Sequence, residues 1–383
     1  MLIKYQKLII CWLFIDHNVS ILEMRKLFNI VFINFITDSS RACVEGGMGM
    51  AVIYLVTGAT GYLGNNIVRQ LVAEGKNVRA LVLPGDKGVW RLPATVQIHE
   101  GNVLNPGDLE EFFKVHDGTE IMVIHSAGIV STTWGYNERL YKVNVLGTQN
   151  IVNQCIRSRV KKLVYVSSVH ALPELPKDQT IVEIKEFEPD LIVGFYGKTK
   201  ATASQIVMDA VRSGELNATL VFPSGLCGPY DYEIGYVTQL LIDCAKNKLP
   251  AGIKGGYDFV DVRDVARGVI AACEKGGNGE GYILANRYLP AMEILQYVHE
   301  QTGCRRVRQA LPVWVAKAFL PLFSLYYKAR KKRPLFNRYS LYTIASNSKF
   351  SNAKARQELG FTVRPFADTV ADTLNWLRKE AFI

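Results

Sequence analysis

The stretch Tyr54-Leu-Val-Thr-Gly-Ala-Thr-Gly-Tyr-Leu-Gly64 decides how the rest of the chain is read. Val52 to Val56 is short, apolar and free of charge, the pattern of a strand buried on both faces. Glycines follow at Gly58, Gly61 and Gly64, and then Ile67, Val68, Leu71 and Val72 mark one face of a helix over Asn65 to Glu74. Strand, glycine turn and helix in that order build a phosphate cradle. Gly58 permits the tight turn, Gly61 lets a pyrophosphate approach the backbone, and Gly64 lets helix pack on strand. The free N–H groups at the helix start then hydrogen-bond the phosphates. A glycine motif alone marks a plain turn as readily. The flanking strand and helix favour a dinucleotide site.

Outward from this unit, the alternation continues. Val78 to Leu83, Val96 to His99, Ile121 to His125, Lys162 to Val166 and Ala218 to Phe222 read as strands. Between them, Leu109 to Lys114, Val143 to Ser158 and Tyr196 to Arg212 read as helices, and 171–192, with three prolines, as an irregular connection. Strands alternating with helices predict an α/β, doubly wound parallel sheet of Rossmann type. Beyond Pro223 the pattern loosens. A turn at Gly228 to Asp231, a helix over Tyr236 to Lys246, a second ending near Cys273, a strand over Gly281 to Ala285 and a helix over Ala291 to Thr302 follow, and the family resemblance given below implies that such pieces make a smaller C-terminal substrate-binding lobe. The expected division is 48–225 for the nucleotide-binding domain and 226–383 for the lobe, with 258–285 returning to the sheet.

The chain has 383 residues, 49% hydrophobic and 21% charged, an ordinary composition for a protein with a large core. Its seven cysteines include no Cys-x-x-Cys pair, and its six histidines form no His-x-x-x-His, so no metal site is expected. Scattered thiols suit a reducing cytoplasm. The segment before Met48 carries only an eight-residue apolar run, Leu8 to Ile15, against about twenty for a membrane span. It reads as an extension outside the fold, with translation expected to begin at Met48 or Met50; a weak membrane-associating role is the second reading.

The net charge of +10 is local: Gln301 to Phe350 contains no Asp or Glu but is rich in Lys and Arg interleaved with Trp314, Phe319, Phe323, Tyr326 and Tyr327. A solvated basic helix over a packed apolar face is the plainer account of 305–338. Peripheral contact with an anionic membrane, or a substrate with an acidic handle, is the sharper one. No recognition motif points to nucleic acid.

Tyr196-Gly-Lys-Thr-Lys200 carries the chemistry. Tyr and Lys four apart share a helix face. A tyrosine in water titrates near pH 10, and an ammonium beside it pulls that value down, giving an acid/base suited to a carbonyl–alcohol couple. Val164-Tyr-Val-Ser-Ser-Val-His170 ends the fifth strand, where ligands of open α/β sheets lie. His170 reads as loop surface rather than as a proton shuttle.

TGATGYLG together with Tyr196 and Lys200 resembles the short-chain dehydrogenase/reductase superfamily, in its extended branch, over roughly Ala51 to Leu377. Phe259-Val-Asp-Val-Arg-Asp-Val265, Lys354 to Phe361 and Trp376-Leu377 resemble further motifs of that branch. The resemblance implies that Tyr196 is the general acid/base, that Ser168 holds the substrate oxygen, and that Asn144 orders a relay water. It gives Lys200 a second bond, to the nicotinamide ribose. It also implies cofactor contacts at Gly58, Thr60, Gly61, Tyr62, Leu63, Gly64, Lys87, Asn102, Val103, Ala127, Gly128 and Pro223, and a homodimer built through two helices.

Two departures shape the expected function. An NAD enzyme places Asp or Glu at the end of the second strand, whereas Leu83 stands here with Lys87 and Arg91 beyond it. NADP is therefore expected ahead of NAD. Phe222-Pro-Ser224 stands where many relatives have Arg-Pro, which weakens a nucleotide-sugar substrate. The leading expectation is an NAD(P)-dependent oxidoreductase, similar to dihydroflavonol reductases and 3β-hydroxysteroid dehydrogenases, acting on a rather apolar small molecule. A sugar-nucleotide epimerase is the alternative. A non-enzymatic nucleotide sensor is less expected, since the Tyr/Lys pair is kept.

Overall fold

The computed structural model describes residues 51–132, 134–318, 320 and 338–383. Residues 1–47, and most of the basic–aromatic stretch, lie outside them. Seven parallel strands form the central sheet in the order β10-β6-β5-β4-β1-β2-β3. These are β1 (Val52–Thr57), β2 (Asn77–Val82), β3 (Gln97–Glu100), β4 (Glu120–His125), β5 (Lys162–Val166), β6 (Ala218–Pro223) and β10 (Gly281–Leu284). The order reverses between β1 and β4, and that switch point opens a crevice at the strands' carboxyl ends. β5 and β6 are buried along their whole length because helices cover both faces of the sheet.

On one face lies α1 (Tyr62–Ala73), packed beside α7 (Val262–Lys275); the other carries α4 (Gly147–Arg157) and α5 (Phe195–Arg212). A short helix, α2 (Pro106–Phe112), follows β3 and is capped by Asn105. The helix expected over Val143 to Ser158 proves to be two pieces, a π-helical turn over Lys142–Leu146 and α4, and a short helix, α3 (Glu138–Tyr141), runs into it. π-turns of this kind mark functional positions, and Asn144 sits inside this one.

The smaller lobe has its own core of Leu241, Leu289, Ile294, Leu374 and Trp376. It consists of α6 (Tyr236–Ala245), α8 (Ala291–Thr302) and α10 (Phe366–Lys379), with a three-stranded sheet of β7 (Gly225–Cys227), β9 (Gly256–Asp261) and β11 (Arg287–Pro290), and a two-stranded one of β8 (Gly252–Ile253) and β12 (Ala310–Leu311). Of 258–285, α7 packs on the central sheet and β10 joins it, whereas β9 belongs to the lobe. α9 (Arg338–Thr343) is a short helix that returns toward the active-site side.

Candidate active site

The cradle at β1 and α1 is built by close approach. Gly58 has φ +70°, and a Cβ there would lie 2.6 Å from the Ala127 nitrogen. A Cβ on Gly64 would lie 2.0 Å from the Gly58 carbonyl oxygen, so the start of α1 rests on the turn itself. Gly61 differs. Its φ is −73°, and a Cβ would meet nothing nearer than the Gly58 oxygen at 3.2 Å. A methyl there would need only a small shift of that carbonyl, far less than at Gly64, and this is the point where a pyrophosphate would approach the backbone. No side chain caps α1, which leaves its first N–H groups for an anion. The residues therefore fit a dinucleotide.

Around this loop the expected contact residues divide. Thr60 donates to Asp86 Oδ2 across 2.7 Å, and Asp86 Oδ1 accepts from the Gly88 N–H. Leu63 is buried in α1, and the Tyr62 hydroxyl donates to the Gly228 carbonyl at 2.8 Å, tying the loop to the turn after β7. Lys87 is exposed. Arg91, by contrast, turns aside: its guanidinium lies 4.3 Å from the Tyr232 ring centre and 3.9 Å from Glu233. Leu83 is 51% exposed at the strand end, and the nearest acid that follows it in the chain is Asp86. Asn102 accepts from the Leu104 N–H with its side-chain oxygen, and Val103 is buried beneath Gly147. Pro223 closes β6.

The residues expected to be catalytic gather at the ends of β4 and β5. Tyr196 lies one turn before Lys200 on α5, and both side chains are buried. Burial pushes the Tyr196 phenol up to about 12, with a hydrogen bond to Ser168 acting in the other direction. Burial lowers the Lys200 amine to about 7. Lys200 Nζ donates to Val166 O at 2.7 Å and to the Tyr165 hydroxyl at 3.2 Å. Its partner is therefore not the Tyr196 hydroxyl that the four-residue spacing suggested. Gly128 lies over both Asn144 and Lys200: a Cβ there would stand 3.3 Å from Asn144 Oδ1 and 3.7 Å from Lys200 Nζ. The Asn144 amide grips Ile129 through both its N–H and its carbonyl and donates to Thr199, so it anchors the strand-end loop directly.

A buried chain behind Lys200 has no counterpart in the sequence reading. His125 at the end of β4 stacks on Tyr165 at 5.7 Å and contacts Thr57 and Thr148 through its two ring nitrogens. Thr148 donates to Asn144 O, and Thr57 Oγ1 accepts from the Ala127 N–H. Thr148 thus has no proton for the imidazole, so His125 Nε2 carries one and donates, while Nδ1 accepts from Thr57. Burial lowers His125 to about 3, so it is neutral. One end of this chain fixes the amine and the other the backbone beneath Gly58.

His170 is not surface. It packs against Tyr196 at 5.9 Å and lies almost parallel to the Tyr257 ring at 5.8 Å. Gly197 makes this approach, since a Cβ there would lie 2.5 Å from the His170 carbonyl. Beside it is a cavity of about 50 Å³ lined by Ile181, Ile192, Tyr257, Tyr339, Tyr342 and Phe350 among others; Glu174 is its one acid and no Lys or Arg lines it among the described residues. Also among the described residues, no three His, Cys, Asp or Glu side chains converge on a metal position, and no helix is long and apolar enough to cross a membrane.

The profile of the NAD dependent epimerase/dehydratase family matches residues 54–285. Sterol demethylase protein B of Methylococcus capsulatus is 31% identical over 86% of this chain and 99% of its own. A putative dihydroflavonol 4-reductase of Synechocystis is 28% identical over 89% of this chain and 98% of its own. Among solved structures, gox2253 superposes with a TM-score of 0.73 at 28% identity, covering 86% of this chain and 99% of that one.

Proposed function

The chain belongs to the NAD dependent epimerase/dehydratase family, among the extended short-chain dehydrogenases/reductases, and from that premise we propose that it oxidises or reduces an alcohol–ketone couple on a largely apolar ring skeleton of sterol type. The observation that carries this reading is the cavity beside His170, where Ile181, Ile192, Tyr257, Tyr339, Tyr342 and Phe350 stand with the polar Glu174, Thr343, Ser346 and Asn347 and no Lys or Arg lines it among the described residues. A nucleotide-sugar diphosphate needs counter-charges, and a fused ring needs apolar surface. The similarity to a sterol demethylase component supports the same class.

A nicotinamide dinucleotide held by the cradle would supply or accept the hydride. Tyr196, protonated at neutral pH because burial holds it near 12, gives its proton to the carbonyl oxygen during reduction and takes one back during oxidation. Ser168 donates to the same oxygen. Lys200, anchored on Tyr165 and Val166, holds its amine within the site below Gly128. Both NAD and NADP fit the cradle. Lys87 favours the 2′-phosphate, as the sequence reading had it, and Asp86 opposes it, so any preference for NADP is narrower than Leu83 alone implies. Scattered cysteines favour a cytoplasmic site of action. The test is nicotinamide-absorbance turnover of the purified protein on ketosteroids against nucleotide sugars. Turnover confined to nucleotide sugars would overturn the substrate class.

A further inference from the structure

The three groups His170, Tyr257 and Tyr339 meet beside the catalytic tyrosine. His170 Nε2 lies 3.3 Å from the Tyr257 hydroxyl and Nδ1 lies 3.3 Å from the Tyr339 hydroxyl. The two tyrosines come from β9 and α9, 87 and 169 residues away from His170 in the chain. Both are buried, with 6% and 5% of their surface exposed, and both line the cavity.

Counting protons gives a result independent of tautomer. Burial lowers His170 to about 4, so the neutral ring carries one N–H. With the two phenols, the cluster holds three protons and makes two contacts. If Nε2 is protonated, it donates to Tyr257, whose own O–H is left over. If Nδ1 is protonated, the Tyr339 O–H is left over. Either way one buried phenol donor faces the cavity without a partner among the described residues, and a buried donor left unpaired is costly.

We propose that this trio is a second anchoring point for the substrate, taking a neutral oxygen (a hydroxyl or ketone) on the ring that carries the reacting carbonyl. The inference deepens the oxidoreductase reading and rests on it. Glu174, bonded to the Tyr342 hydroxyl, places a carboxylate in the same cavity and so disfavours an anionic group. The substrate class narrows to hydroxyketones and diols of an apolar ring.

The test uses the full chain saturated with cofactor and cyclohexanone set against its three monohydroxylated isomers. Binding is followed by tryptophan fluorescence and turnover by nicotinamide absorbance. At least one hydroxyketone should bind about three- to ten-fold tighter than cyclohexanone, the range for one added neutral hydrogen bond. In Tyr257→Phe with Tyr339→Phe, which removes the donor whichever tautomer is present, that ratio should fall to near one. His170→Phe keeps the flat ring against Tyr257 and leaves both phenol donors without the imidazole, so there the ratio should persist or rise. A ratio near one in the unaltered protein, or one that survives loss of both phenols, overturns the proposal, and water alone then occupies the cavity. Preference in binding without any absorbance change supports the anchoring point and overturns the oxidoreductase reading; turnover without preference does the reverse.

Discussion

Lys200 donates to the Tyr165 hydroxyl across 3.2 Å, a bond between α5 and the end of β5. The phenol oxygen of Tyr165 accepts from the ammonium and so favours the charged amine, against the burial that brings Lys200 down to about 7.

In Tyr165→Phe that acceptor is gone and the amine should titrate at still lower pH. The profile of kcat/KM against pH should therefore show its inflection near 7 in the unaltered enzyme and below that in the variant. An unchanged inflection, or one shifted upward, would show that Tyr165 does not act on Lys200.

The glycines separate fold from function. Gly64→Ala forces a Cβ to 2.0 Å from the Gly58 oxygen and should cost stability at or above the upper end of about 1–3 kcal/mol. Gly61→Ala meets a backbone oxygen at 3.2 Å and should cost much less stability than Gly64→Ala while weakening cofactor binding. Denaturant unfolding and dinucleotide titration of the two variants check both halves. Intact cofactor affinity in Gly61→Ala would place the phosphates elsewhere.

His125 makes a signed contribution to acid stability. Its folded pKa of about 3 lies below the unfolded value of 6.5. Between these values the unfolded chain binds more protons, so this part of the stability is complete above pH 6.5 and is lost as pH falls toward 3. His125→Asn lacks that titration, so its stability should fall less steeply than the unaltered protein's over the same window, although it starts lower for want of the Thr57 and Thr148 contacts. Parallel stability curves from urea unfolding would remove His125 from the buried chain.

Asp86 is the charge nearest Thr60 in the cradle. Asp86→Asn removes the negative charge opposing a 2′-phosphate and should move the NADPH-to-NADH affinity ratio toward NADPH by about two- to five-fold, the range of exposed charge pairs. Lys87→Ala should move it the other way. A shift toward NADH in Asp86→Asn would contradict this placement.

Much of the fold is legible in the chain because parallel strands buried on both faces leave uninterrupted apolar runs such as Val52 to Val56, and because Tyr196 and Lys200 lie within one helix. Residues brought together over long separations leave no such trace. Tyr257 and Tyr339 reach His170 from different lobe elements, and Asp86 reaches Thr60 across the cradle. The π-turn at Asn144 escapes the helical periodicity, since the apolar positions on either side of it still read as one amphipathic stretch. The short strands β7, β9 and β11 were hidden for a related reason: each is fixed by its partner rather than by its own pattern.

Transfer of a labelled hydride tests the whole account. The protein is incubated with nicotinamide-deuterated NADH or NADPH and a ketosteroid, and the product alcohol is examined by mass spectrometry. Deuterium at the carbinol carbon is predicted for the unaltered protein. Tyr196→Phe should transfer it about two to four orders of magnitude more slowly while still binding the cofactor. Undiminished transfer by Tyr196→Phe, or interconversion of nucleotide sugars with no deuterium passing to any ketone, would contradict it.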